Sequence, residues 1–167
     1  MSYWLLVLAI TNVSLYLSGF KVKYQHGDPL YLTLLAMFSH ENLAHVLVNA
    51  IGFVLLYLAK LEVSITQMLC GIVVNVISYW ITGIHLIGRM REPTIVGASC
   101  LVYFLIGLLY SQNPSLTIPS LIGIATSFHW FLLFVVIGEL ITHLPAGIIP
   151  IPHLLPLVIG MMWHMII

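Results

Sequence analysis

Long apolar stretches broken by short polar clusters organise this chain. The first stretch covers residues 3–20 and ends at Lys21-Val-Lys-Tyr-Gln-His-Gly-Asp-Pro29. The second covers 31–59, carries Ser39-His-Glu-Asn42 near its start, and closes at Lys60 and Glu62. The third, 63–88, is closed by Arg89, Arg91, Glu92 and Pro93, and the fourth, 95–110, by Ser111-Gln-Asn-Pro114. The fifth covers 118–143; Pro145 and Gly147 turn the chain into the sixth, from 150 to 167. None of these runs alternates with a period of two, so they read as helices rather than strands. A hydrocarbon core about 30 Å thick takes about 20 helical residues. The fourth and sixth stretches fall short of that and are expected to begin below the membrane surface. The pattern predicts an all-α integral membrane protein of six transmembrane helices, forming one domain over residues 1–167.

Composition supports a lipid solvent. Of the 167 residues, 61% are hydrophobic and 6% charged, and the mean hydropathy is +1.11. A soluble domain carries about 25% charged residues. In lipid each backbone polar group needs an internal partner, which helices supply. The formal net charge is zero, so nothing points to nucleic acid. Cys70 and Cys100 form no disulfide framework and read as small apolar residues. No Lys or Arg precedes the first stretch and no small-residue cleavage motif follows it, so it reads as a retained span rather than a signal peptide.

Polar groups inside a membrane are costly and usually functional, which directs attention to three clusters. In His40-Glu-Asn-Leu-Ala-His45-Val-Leu-Val-Asn49 the two histidines stand five apart. A zinc-binding pair needs four, and at five the rings point about 140° apart; no metal site is expected. His45 and Asn49 do share a face, as a pair bridging two helices would. In Gly97-Ala-Ser99-Cys-Leu-Val-Tyr103-Phe-Leu-Ile-Gly107, residues 99, 103 and 107 line one face. An isolated serine at a helix start is ordinarily a cap. Here an aromatic ring sits one turn away and a glycine two turns away, where a close helix crossing needs one. In Pro152-His153-Leu-Leu-Pro156-Leu-Val-Ile-Gly160, the histidine opens the last stretch and Gly160 lies on nearly the same face. With a candidate nucleophile at Ser99, His153 is the natural general base. Asn75, His129, Glu139 and His143 lie in or near the stretches, and His85 and His164 near their ends. These are read as interhelical hydrogen-bonding or interfacial residues.

Together the three clusters resemble the rhomboid family of intramembrane serine proteases, over roughly residues 30 to 165. That family carries H-x-x-x-x-H-x-x-x-N, then G-x-S with Tyr and Gly four and eight residues after the Ser, then His with Gly seven residues on. The resemblance implies a six-helix rhomboid-like bundle in which Ser99 is the nucleophile and His153 its base. It implies that Tyr103 stacks on the His153 ring and that His45, Asn49 and the Ser99 backbone N–H hold the oxyanion. His40 would brace the first loop; Gly97, Gly107 and Gly160 would shape the turn and the helix crossing. Leu61-Glu62 is similar to a Leu-Glu that follows the second helix in many relatives. The chain departs from the pattern at Cys100 and Pro156, where Gly or another small residue is usual, and at Tyr31-Leu32, where a Trp-Arg pair is usual. Pro156 is expected in a first helical turn, where proline is tolerated.

The implied reaction is hydrolysis of peptide bonds in or near transmembrane segments, without metal or organic cofactor. Its partners would be transmembrane protein substrates and the lipid bilayer, in the plasma membrane of a prokaryote. The alternative from another class is a catalytically inactive rhomboid-like protein that binds or escorts membrane proteins; such proteins usually lack the Ser or the His. Asp28 is the one aspartate, which excludes a pair of intramembrane aspartates. A proton-coupled transporter would leave the 99–103–107 stripe unexplained. Family topology puts the active-site mouth on the outer face. The positive-inside rule prefers the reverse, since Lys21, Lys23, Arg89 and Arg91 would then oppose Lys60 alone.

Overall fold

The computed structural model describes residues 2–86, 96–113, 115, 117–119, 125–143 and 150–166. Helices dominate: α1 (Trp4–Leu17), α2 (Tyr31–Ala36), α3 (Leu43–Leu58), α4 (Ile65–Leu86), α5 (Ser99–Gln112), α6 (Phe128–His143), α7 (Ile151–Met161) and α8 (Trp163–Ile166). Between α5 and α6 lies a short antiparallel ribbon, β1 (Thr117–Pro119) with β2 (Ala125–Ser127), in register Thr117↔Ser127 and Pro119↔Ala125.

The expected six-transmembrane-helix bundle is not supported by these elements. At 1.5 Å per residue, α1 and α5 reach about 21 Å and α3 about 24 Å, short of a core of about 30 Å. Among the described residues one helix is long and apolar enough to cross a membrane: Ile65–Ile84 within α4, with mean hydropathy 1.5. The break before α3 has a local cause. The second stretch breaks at 37–42, where Asn42 takes an extended conformation and its Oδ1 accepts the His45 N–H at 2.9 Å, capping α3. The fifth stretch starts as the β1–β2 ribbon rather than a helix, and α6 begins only at Phe128. Arg89, Arg91, Glu92 and Pro93, read as closing the third stretch, and Pro145 and Gly147, read as the last turn, lie outside the described residues.

The helix ends that are described follow ordinary chemistry. α1 ends on Gly19, whose φ of 79° suits a left-handed position; the Gly19 and Phe20 N–H groups return to the Tyr16 and Leu15 carbonyls. α3 ends in the same way on Lys60, at φ 59°. α4 opens with a capping box: Ser64 Oγ accepts the Gln67 N–H, and Gln67 Oε1 accepts the Ser64 N–H.

α1 packs on α3, α3 on α5, and α5 against both α4 and α7. The core runs through Leu5, Phe53, Leu101, Phe104, Leu105, Leu108 and Leu157, all fully buried. The α5–α7 crossing is backbone to backbone. A Cβ added at Gly107 would lie 2.2 Å from the Leu157 carbonyl oxygen, and one at Gly160 2.2 Å from that of Phe104. Pro156 sits inside α7 in its second turn, not the first. It forgoes the bond its N–H would have made to the Pro152 carbonyl.

α4 is polar inside and apolar outside. Asn75, Ser78, Tyr79 and Thr82 are buried, while Ile65, Leu69, Val73, Ile77, Trp80 and Ile84 are exposed on its other face. The expected interhelical hydrogen bond of Asn75 does not form: neither its Nδ2 nor its Oδ1 has a partner.

Candidate active site

The site assembles where the first turns of α5 and α7 meet the start of α3. Ser99 is the first residue of α5, so its side chain stands at the helix mouth. Its backbone N–H is one of those that a helix leaves without an internal partner. His153 lies in the first turn of α7, and its Nε2 is 2.9 Å from Ser99 Oγ. The Tyr103 ring, one turn along α5, stacks on the His153 imidazole with centroids 4.6 Å apart and planes 9° from parallel. The Gly107–Gly160 crossing holds the two helices close enough for these contacts.

The turn before the nucleophile is fixed from three sides. Gly97 has φ 101°, a conformation that side chains other than glycine rarely take. Its N–H donates to the Ala36 carbonyl at 2.9 Å, and its own carbonyl accepts from the Tyr79 hydroxyl. A Cβ at this position would lie 2.6 Å from His45 Nε2 and 3.4 Å from Asn49 Nδ2. Both α3 side chains therefore reach the turn two residues before Ser99. They lie beside the turn that leads into Ser99, at the end of α5 where the helix dipole is positive.

His40, in the turn between α2 and α3, is buried behind this layer. Its Nε2 is 2.9 Å from Asn49 Nδ2, and its ring meets that of His45 edge-on at 5.0 Å. The Asn49 amide is a donor, so Nε2 is the acceptor and the neutral ring carries its proton on Nδ1. Burial lowers the His40 pKa to about 4; the neighbouring His45 adds to this, and the Phe38 backbone offsets part of it. The structure brings His40 to Asn49 and His45 rather than to the first loop. That loop is held by the adjacent Ser39, whose Oγ accepts the Val22 N–H at 3.0 Å. It is also held by Tyr24, buried in a small cluster with Ala36, Tyr79 and Cys100. Cys100 packs there in full burial, filling the space beside the nucleophile.

Sequence reasoning passed over Ser39, Tyr24 and Tyr79. The signal for Tyr79 was present: Asn75, Ser78, Tyr79 and Thr82 recur at helical spacing in an otherwise apolar stretch. The side chains of His85, His129, Glu139, His143 and His164 lie outside the described residues. Among those that are described, no cluster of three potential metal ligands forms. The chain matches no family model, no curated protein and no solved structure.

Proposed function

We propose that this chain is a membrane-embedded serine endopeptidase of rhomboid type, in which Ser99 and His153 form the catalytic dyad. The observation that carries the reading is the 2.9 Å contact between Ser99 Oγ and His153 Nε2, with Tyr103 stacked on the imidazole. His153 takes the hydroxyl proton as Ser99 Oγ attacks a peptide carbonyl, then returns it to the leaving amine. The Ser99 N–H, His45 and Asn49 stabilise the oxyanion, and water completes the second half of the reaction. Tyr103 restricts the imidazole to the plane in which Nε2 faces Ser99.

Multi-pass residence in a membrane is part of the proposal. Its support is the inverted face pattern of α4, together with the exposed Val48, Ile51, Leu55 and Leu58 on α3 opposite buried Asn49. A helix with its amides inside and its aliphatic residues outside fits hydrocarbon better than water. Substrates are transmembrane proteins whose helices unwind locally to expose a carbonyl. The test is fluorophosphonate labelling of the purified protein beside Ser99→Ala. Ser99→Ala is expected to remain folded in detergent and to lose labelling and proteolysis together. Labelling undiminished in that variant removes Ser99 from the role. A wild-type protein that binds membrane segments, yet neither labels nor cleaves, points to the binding or escort alternative.

A further inference from the structure

The Gly97 carbonyl is turned to α4, which commits a fully buried tyrosine to it. Tyr79 is 1% exposed. Its hydroxyl donates to the Gly97 carbonyl across the α4–α5 contact. A buried hydroxyl needs an acceptor, and Tyr79 takes its own from the turn that leads into Ser99 rather than from α4. Asn75 and Ser78, on the same face, remain without partners. In a trans peptide the C=O and the next N–H point in opposite directions, and the described chain holds no cis bond. Holding the Gly97 oxygen on the α4 side therefore turns the Ala98 N–H the other way and sets the plane from which Ser99 leaves. The Gly97 N–H is tied separately to Ala36, so the two hydrogen bonds fix the peptide planes on both sides of the Gly97 Cα. Gly97 itself has no side chain to resist rotation, and its positive φ makes the turn dependent on such external ties.

We propose that Tyr79 is a positioning residue for the Ser99 reaction: by holding the Gly97 carbonyl, its hydroxyl sets the turn that aims Ser99 Oγ at His153 and the Ser99 N–H at the oxyanion. This rests on the Ser99–His153 reading above. Tyr79 touches no reacting atom and acts through the backbone.

The test uses the full chain in detergent and a fluorophosphonate as probe. Ser99 Oγ forms a bond to phosphorus, fluoride leaves, and the hydroxyl proton passes to His153. The maximal labelling rate kinact and the half-saturating concentration KI are read separately, together with the fraction of protein finally labelled. Tyr79→Phe removes the hydroxyl alone. It is expected to lower kinact by about ten- to a hundredfold, the scale of a misplacement near 1 Å. KI should stay within about twofold and the final labelled fraction should stay unchanged. A merely structural tyrosine would lower the labelled fraction or the unfolding temperature and leave kinact of the folded protein alone. 4-Aminophenylalanine at position 79 keeps the ring and a donor and should restore kinact to within about threefold of wild type. Should Tyr79→Phe fail to fold, the amino variant still decides, because a folded amino variant with strongly reduced kinact overturns the proposal. An unchanged kinact in Tyr79→Phe also overturns it, while Ser99-dependent labelling of the wild type leaves the dyad standing. A wild type that does not label at Ser99 instead removes the reading on which the proposal rests.

Discussion

Replacing Gly160 by alanine tests whether the α5–α7 crossing holds the dyad together. The added Cβ would stand 2.2 Å from the Phe104 carbonyl oxygen and 2.9 Å from the Leu108 nitrogen. Both atoms are backbone, so no side-chain rotation relieves the clash. Ordinary contact begins near 3.4 Å, so α7 must move off α5 by about 1 Å. Overpacking of this kind costs up to about 3 kcal/mol, and the better helix propensity of alanine returns about 1 kcal/mol. A net loss of about 2 kcal/mol is expected. His153 lies two helical turns from Gly160, and a shift of about 1 Å carries its Nε2 out of hydrogen-bond range of Ser99 Oγ. Labelling by a fluorophosphonate should then slow by about a hundredfold. Gly107→Ala should behave alike, and the double variant should lose less than the sum, since one separation relieves both clashes. Gly52→Ala meets only the Val102 side chain and should cost less. Gly138→Ala, whose added Cβ meets nothing within 4 Å among the described residues, should leave labelling unchanged. The measurements are labelling rate and thermal unfolding in one detergent. Gly160→Ala with wild-type values in both would refute the claim that backbone contact at this crossing sets the dyad distance.

Two further outcomes are expected. His153→Ala should lose nearly as much proteolysis as Ser99→Ala, with the double variant little worse than either, because members of one catalytic unit are not additive; multiplying losses in a cleavage assay would separate the two residues. His40 stays neutral in the fold down to about pH 4, whereas an ordinary histidine protonates near 6.5. The unfolded chain therefore binds the proton first, and stability should be intact above that value and fall with pH through this window, by about 3 kcal/mol in all. Thermal unfolding followed against pH should show this acid limb in the wild type and a flatter one in His40→Asn; equal slopes would place the sensitivity elsewhere.

Apolar runs and polar punctuation located most of the helices, but not their lengths. The stretch at 31–59 reads as continuous because its polar cluster, Ser39 to Asn42, has apolar residues on both sides. Asn42 is also a cap, and a cap ends one element and starts another. The stretch at 118–143 reads as helical because apolar residues dominate it without alternating. Spacing served better within a helix: residues 99, 103 and 107 share a face whatever the length of α5, and so do 153 and 160. Contacts that depend on how distant elements dock were not legible. The Tyr79–Gly97 and Ser39–Val22 hydrogen bonds join positions that no periodicity relates. Nor does periodicity relate His40 to Asn49; only the fold brings its ring there.

The packing order of the helices divides the molecule along a seam. α1 and α3 form one block, and α4, α5 and α7 another; the blocks meet where Gly52 accommodates Val102 and where His45 closes on Gly97. Ser99, Tyr103 and His153 all belong to the second block, while His45, Asn49 and His40 belong to the first or its leading turn. In the proposed reaction, the proton-transfer pair and the groups offered to the developing charge are thus mounted on different parts. The Ser99–His153 contact lies wholly within the second block, while the contact of His45 with the Gly97 turn crosses the seam. On the proposed reading, a disturbance at the seam is felt first by the α3 groups offered to the oxyanion and only afterwards, through the Gly97 turn, by the dyad.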